Sequence, residues 1–451
     1  MAYAEIFGLL LFVAFIFHLI KRPRIGLNEP PLVPYQYPII GHTYSLLNDS
    51  ENFLKECKEK YGEPFSLYVF GSVRTFTVAD VFKQYLGDSS LSHLARVVHE
   101  QVSGKVSVYT SRMQKELLSG IEKFIGDCKV YELFSEPKAI RNLREVAAQI
   151  IAKPVANVML GEEGAKFEDI IVSFTIVEGE LHKMRFAPQF LLFIHPSLYK
   201  FFALLPLKFG WNPIAQHRDL FVQRCKPIIE ERIRQRKELG EKYIQKEDLL
   251  DFYISEFGTN VVDNKLLNKL FGVLYMIVFA SISTTSRALS FALFDYGGRP
   301  ELWNELYEEQ FKIHNESNGY LSTEDVNKMV KLDCFLKESF RYSTDIDTAF
   351  NNKFYGETSS NFQPKRHITS YSNGKTVHSP ATKVDRSFIT FGGGKHACPG
   401  RFFAVNEIKM GLHKLILKYN IRTENGKIIS PTRISSSHFP SNSGLIFENR
   451  N

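Results

Sequence analysis

A 33-residue run, Asn264–Tyr296, holds no proline and reads as one helix roughly 50 Å long. From Leu270 to Phe279 it is apolar on every face. Such a helix has to run through the middle of a body rather than along its surface. A bilayer span is disfavoured, because only 17 residues separate Lys269 from Arg287 and the second half of that interval is rich in hydroxyls. The chain of 451 residues, 44% hydrophobic, is ample to bury the helix. Helical patterns dominate from about Asp80 to residue 340. The β-prone runs are short, as in Phe65–Phe70 and Arg74–Val78 around Gly71-Ser72, a predicted hairpin. The expectation is a mainly α fold with small β-sheets.

The sharpest chemical signal lies near the other end. Phe391-Gly392-Gly393-Gly394-Lys395-His396-Ala397-Cys398-Pro399-Gly400 is a glycine-rich loop ending in one cysteine, and a helical sequence starts at Arg401. Glycines let the backbone turn tightly and approach a flat partner. Backbone N–H groups and a helix N-terminus there would stabilise a thiolate, and a thiolate is a strong proximal ligand for haem iron. A phosphate loop is excluded, since His396 stands where Ser or Thr is needed and Ile389 where the earlier Gly is needed. A zinc site lacks a second ligand pair near His396 and Cys398. The competing bland reading is an inert buried cysteine. Cys57, Cys128, Cys225, Cys334 and Cys398 are scattered without any C-x-x-C, as expected in a reducing compartment.

Other motifs accompany the loop. Glu338 and Arg341, three apart on a helical stretch, share a face and can pair; alone, they read equally well as a surface salt bridge. Phe362-Gln363-Pro364-Lys365-Arg366 follows. Within the long helix, Ala280-Ser281-Ile282-Ser283-Thr284-Thr285-Ser286 places hydroxyls where buried groups need partners. Back-bonding to earlier carbonyls is one explanation, and an oxygen-binding groove is the other.

Phe391-x-x-Gly394-x-x-x-Cys398-x-Gly400, Glu338-x-x-Arg341 and Phe362-x-Pro364-x-Arg366 together resemble the cytochrome P450 monooxygenases, over essentially the whole chain. The resemblance implies a P450 fold in one large domain that binds haem b, iron protoporphyrin IX, with Cys398 as axial ligand of the iron. It implies that Phe391, Gly394 and Gly400 shape the cofactor loop, that His396 is a propionate contact, and that Glu338, Arg341 and Arg366 form a structural cluster. Thr284 is then the oxygen-side hydroxyl, and Ser283 stands where the family has an acid. The implied reaction inserts one oxygen atom of O₂ into an apolar, lipid or sterol-like substrate, with NADPH electrons supplied by cytochrome P450 reductase or cytochrome b5.

The chain also departs from the family. Only 20 residues separate Arg341 from Phe362, and Leu86–Ser107 is short. The tryptophans are Trp211 and Trp303, so the family's Trp-x-x-x-Arg is absent near residue 95. A haem-thiolate isomerase or dehydratase, and a non-catalytic shortened relative, stay open on the sequence.

Ala2–Ile20 is mostly apolar and long enough for a single crossing, with Lys21, Arg22 and Arg24 directly after it. That order predicts an anchor with the body in the cytosol. No basic start or cleavage site argues for a signal peptide. Asn28–Pro34 carries closely spaced prolines that stiffen a spacer and resembles the hinge of microsomal P450s. The expected division is 1–20 transmembrane anchor, 21–45 basic and proline-rich hinge, and 46–451 catalytic domain at the endoplasmic reticulum membrane.

Glu51–Tyr61 reads as a short helix, and Phe190–Trp211, rich in Phe and Leu, as either core or a lid touching the membrane. Ile214–Leu239 reads as a strongly charged helical stretch that presents a solvated face. Val405, Ile408, Leu412 and Leu415 form an apolar helix face under the haem. The net charge of +7 comes without a basic block, so no nucleic-acid partner is expected. Lys395, Arg401 and Lys409 are candidates to receive an acidic redox partner, or are simply solvated.

Overall fold

The computed structural model describes residues 91–128, 137–183, 214–259, 261–343, 352–370, 376–394, 397–434 and 437–450, with short pieces between 12 and 68 and between 198 and 212. Its residues fall into two compact units: Met1–Tyr85 with Gly179–Ile214, and Leu86–Glu178 with Ala215–Asn451. In the first unit a short helix α1 (Thr43–Asn48) is described, preceded by a buried His42 whose Nδ1 accepts a 2.9 Å hydrogen bond from the Tyr68 backbone N–H. Of the anchor only Phe12 is described, of Glu51–Tyr61 only 53, 56, 57 and 60, all helical, and of the 65–78 hairpin only Leu67 and Tyr68; the rest of these stretches and most of the hinge lie outside the described residues. Of the predicted lid, Phe201, Phe202 and Phe209 are described and exposed.

From Leu91 on the chain is helical: α2 (Leu91–Val97), a π-helical stretch Val98–Ser103, α3 (Val106–Phe124), α4 (Leu143–Gly164), α5 (Glu168–Lys183), α6 (Ile214–Leu239), α7 (Leu249–Phe257) and α8 (Asn264–Gly297). Then follow α9 (Trp303–Glu316), α10 (Thr323–Lys328), α11 (Val330–Tyr342), the short α12 (Asn352–Tyr355) and α13 (Arg401–Lys418). The centre is a ring of four helices, with α3 on α4, α4 on α8, α8 on α13 and α13 on α3. Leu117, Ile151, Leu274 and Leu412, one from each helix, have no exposed surface. α8 is the predicted central helix; the Asp263 carboxylate caps it by accepting from the Leu266 N–H at 2.7 Å. Its length and composition would suit a membrane, yet 61% of its most apolar window is buried inside the protein.

α6 carries the expected solvated face and, opposite it, a buried stripe. Phe221, Cys225, Ile229 and Ile233 are buried along one stripe, because the charged residues between them turn to the opposite face. Arg232 on that helix is also buried and pairs with Asp248 at 2.7 Å. The pair fits only because α4 breaks at Gly161 (φ 75°), where a Cβ would lie 2.4 Å from the Asp248 carboxylate.

The sheets are small and antiparallel. β1 (Lys138–Ile140) and β4 (Tyr419–Thr423) flank β7 (Leu445–Asn449), with Ile140 and Thr423 both opposite Leu445. β2 (Ile368–Ser370) pairs with β3 (Thr376–His378), and β5 (Thr432–Ile434) with β6 (Ser437–Phe439). A mainly helical body with small sheets is what the sequence predicts.

Candidate haem-thiolate site

Cys398 sits where the glycine loop runs into α13. Its backbone N–H donates to the Phe391 carbonyl at 2.7 Å, closing the loop on itself. Gly392 (φ 76°) and Gly394 (φ 56°) adopt left-handed backbone, which a side chain would strain. A Cβ at Gly393 or Gly394 would meet nothing within 4 Å, so the loop is open on that side. The Cys398 thiol is half-buried. Burial pushes it up, while the backbone N–H groups of Gly400 and Arg401 and the Arg401 charge pull it down. Ser103 donates to the Pro399 carbonyl at 2.6 Å, and Arg401 reaches back to the Cys398 carbonyl at 2.9 Å. These bonds fix where the sulfur lies.

Phe391 ties the loop to α11, its ring edge-on to Phe340 at 5.7 Å. Two residues before Phe340 is Glu338, wholly buried, whose carboxylate collects five N–H donors. Arg341 supplies Nε (2.9 Å) and Nη2 (2.8 Å), and Arg366 Nε lies at 3.0 Å; the Gln363 backbone lies at 2.7 Å and His367 Nε2 at 2.9 Å. Burial alone would raise the Glu338 carboxyl, but the hydrogen bonds from His367 and Arg341 win and hold it at about 2. Burial pushes His367 down, so it is a neutral imidazole donating its N–H. Arg341 also binds the carbonyls of Ser359 and Asn361, and Arg366 those of Thr358 and Asn361. Glu338, Arg341 and Arg366 therefore meet, as the sequence predicts, and the surface salt bridge is excluded by burial. His367 was missed; its only signal is that it directly follows Arg366.

Four hydroxyls of α8, those of Ser281, Thr284, Ser286 and Ser290, are satisfied by back-bonding. Thr284 donates to the Ala280 carbonyl at 2.7 Å, Ser286 to Ser283 at 3.1 Å and Ser290 to Ser286 at 2.7 Å. Yet Ala280 and Thr284, one turn apart on the same face, are exposed on a helix otherwise largely buried. Ser283 points elsewhere: Arg144 of α4 lies 3.5 Å from its hydroxyl. No sequence pattern linked those residues, which are 139 positions apart.

His396 and Lys395 lie outside the described residues. Lys409 is a correction: it is buried, 3.3 Å from Asp333, and cannot receive a partner. Asp333 sits 76 residues away, so helical spacing alone could not place it opposite Lys409. Arg401 straps the loop, donating to the Thr382 and Cys398 carbonyls.

Comparison with known proteins agrees with this geometry. The family profile described as Cytochrome P450 matches residues 172–353 and 348–444, more than half of the chain. The chain belongs to the cytochrome P450 family. It is similar to an ent-kaurene oxidase of Gibberella intermedia, 24% identical over 74% of this chain and 65% of that protein. It is also similar to cytochrome P450 monooxygenase 71 of Postia placenta, 30% identical over 50% of this chain and 51% of that protein. Lanosterol 14-alpha demethylase of Candida tropicalis is 22% identical over 89% of this chain and 86% of its own length. The chain thus spans between half and two thirds of the first two relatives.

The family is haem-thiolate, and NADPH serves it through a reductase. In this P450 the donor set fits that cofactor: a half-buried thiol with two backbone N–H groups aimed at it, in a loop left open by Gly393 and Gly394. A metal-bound thiol is deprotonated outright, which overcomes the burial that otherwise keeps it neutral.

Proposed function

We propose that this P450 is a haem-dependent monooxygenase that inserts one oxygen atom from O₂ into an apolar, lipid or sterol-like substrate. When bound, the haem would supply the redox chemistry of oxygen activation. The observation that carries the reading is the pairing of a loop built to aim the Cys398 sulfur with an open Ala280–Thr284 face on the buried central helix. In this reading Cys398 holds the iron, Phe391, Gly394 and Gly400 shape its loop, and His396 receives a propionate. Glu338, Arg341 and Arg366 lock the Tyr355–Arg366 segment behind it, and Thr284 holds a proton at the open face. The names of the relatives, an ent-kaurene oxidase and a lanosterol demethylase, support an apolar terpenoid or sterol-like substrate. Residues 1–20 then anchor the protein in the endoplasmic reticulum membrane and 21–45 form the hinge. The body 46–451 faces the cytosol and takes electrons from cytochrome P450 reductase or cytochrome b5.

One observation favours a second reading. Ser283 cannot ionise, and the side chain that donates to its hydroxyl is Arg144, not an acid, so a haem-thiolate isomerase or dehydratase that consumes no oxygen would suit it. Reconstitution with a reductase and a panel of sterols, diterpenes and fatty acids decides between them. NADPH-dependent oxygen uptake with a singly oxygenated product supports the first reading. Substrate conversion without oxygen uptake overturns it in favour of the second.

A further inference from the structure

We propose that this P450 carries a second binding site, for an amphiphilic monoanion such as a medium-chain carboxylate, in the groove between α9 and the Pro364–His367 turn. The groove holds about 450 Å³, inside the range of roughly 300–1,000 Å³ typical of small-molecule sites. Its floor is apolar: Leu302 and Leu306 from one wall, Phe335 from α11 and Ile368 from β2. Charged side chains, Glu301, Glu305, Lys331 and Lys365, line the same groove, the combination that lets a site bury a tail and orient a head. It shares Gln363 and Arg366 with the Glu338 cluster and no residue with the Cys398 loop, and the proposal holds whether or not the protein oxygenates anything.

The rim shows where a head group would sit. Lys331 and Lys365 both turn to Glu305, each at 3.4 Å. A committed ammonium–carboxylate hydrogen bond is shorter, about 2.7–2.9 Å. All three side chains are open to water, Lys365 at 77%, Lys331 at 44% and Glu305 at 33%, so the pairs are weak. Glu305 therefore stands in for an incoming carboxylate, held between two ammonium groups at the edge of an apolar trough. A ligand carboxylate brings what Glu305 lacks, a chain that covers the half-buried Leu302 and Ile368 above a floor of buried Leu306 and Phe335. Arg366 is not a head-group partner, because Glu338 and backbone carbonyls already take its donors. Glu301 on the same rim disfavours a second negative charge, so the head is a monoanion. An occupant would press on Gln363, Pro364 and Arg366, whose N–H groups at 363 and 366 bind Glu338.

Trp303 follows the lining residue Leu302 and is one of only two tryptophans. In the full-length haem protein carrying Trp211→Phe, its fluorescence reports the groove. Monomeric decanoate, decanol and decyltrimethylammonium are titrated in turn. The expected result is a saturable change with decanoate and at least about tenfold weaker binding of the other two. The double variant Lys331→Glu/Lys365→Glu weakens decanoate about tenfold or more without changing decanol, and the conservative Glu305→Gln tightens decanoate by releasing both lysines. Unaltered circular dichroism and haem content show that each variant is folded. No saturable change, equal affinity for decanoate and decanol, or indifference to both variants overturns the proposal. A response only to phosphatidylglycerol vesicles overturns it too, in favour of a membrane surface.

Discussion

Glu338 carries the largest single-residue consequences. Replacing it with Ala would leave Arg341, also buried, without its carboxylate, at roughly 3–5 kcal/mol of stability; folded yield and haem retention should both fall. The pH dependence has a definite sign. The folded carboxyl sits at about 2 against an ordinary 4.5, so its contribution is complete above 4.5 and is lost as pH falls from there toward 2. At 1.36 kcal/mol per unit the loss is about 3 kcal/mol. His367, pushed below 6.5 by burial, acts in the same direction, because the unfolded chain takes up its proton first. Denaturant midpoints measured from pH 7 to pH 3 should therefore fall steeply in the wild type and more gently below 4.5 in Glu338→Ala.

Ser283 gives a prediction of opposite kind. Arg144 already lies beside it, so an aspartate there gains a guanidinium partner as well as an ionisable proton donor. Ser283→Asp should raise the ratio of oxygenated product to NADPH consumed, with less peroxide released. Unchanged or lower coupling in a folded, haem-loaded variant would mean that protons arrive by another route. The meeting of Glu338, Arg341 and Arg366, and the helix that starts just after the Cys398 loop, were legible because their spacing is local or their order is distinctive. Arg144, His367 and the burial of Lys409 were not, since each depends on a contact that only the folded chain brings together.

Among the elements, α8 was legible nearly to the residue: the sequence reading ends at Tyr296 and the helix at Gly297. A run without proline, apolar on every face from Leu270 to Phe279, leaves little freedom over that length. α13 was legible from its apolar periodicity, with Val405, Ile408, Leu412 and Leu415 all buried. α4 was not, because its break at Gly161 answers to the Arg232–Asp248 pair on α6 and just before α7. Gly161→Ala puts a methyl group against Asp248 and forces a side chain into backbone reserved for glycine, so it should cost roughly 3 kcal/mol or more. Thr284→Ala removes only an exposed back-bond; stability should stay within about 0.5 kcal/mol while coupling of NADPH to product drops. Thermal unfolding and product-to-NADPH ratios on the two variants test the proposed division, in which α4 supports the fold and the open face of α8 serves the reaction.

For the whole molecule, the sequence predicts a mainly helical body, and the four-helix ring of α3, α4, α8 and α13 realises it. The groove beside α9 was invisible, because its walls come from residues 301–306, 331–335 and 363–368 and no local pattern marks a concavity. Removing residues 1–20 should leave haem binding intact while releasing the protein from membranes. Everything functional converges on whether Cys398 ligates haem iron. The reduced, CO-bound absorption spectrum of the purified protein tests this directly. The wild type should show a thiolate-type Soret band and Cys398→Ser should lose it; a wild type without that band, or a mutant that keeps it, would contradict a haem-thiolate centre at Cys398.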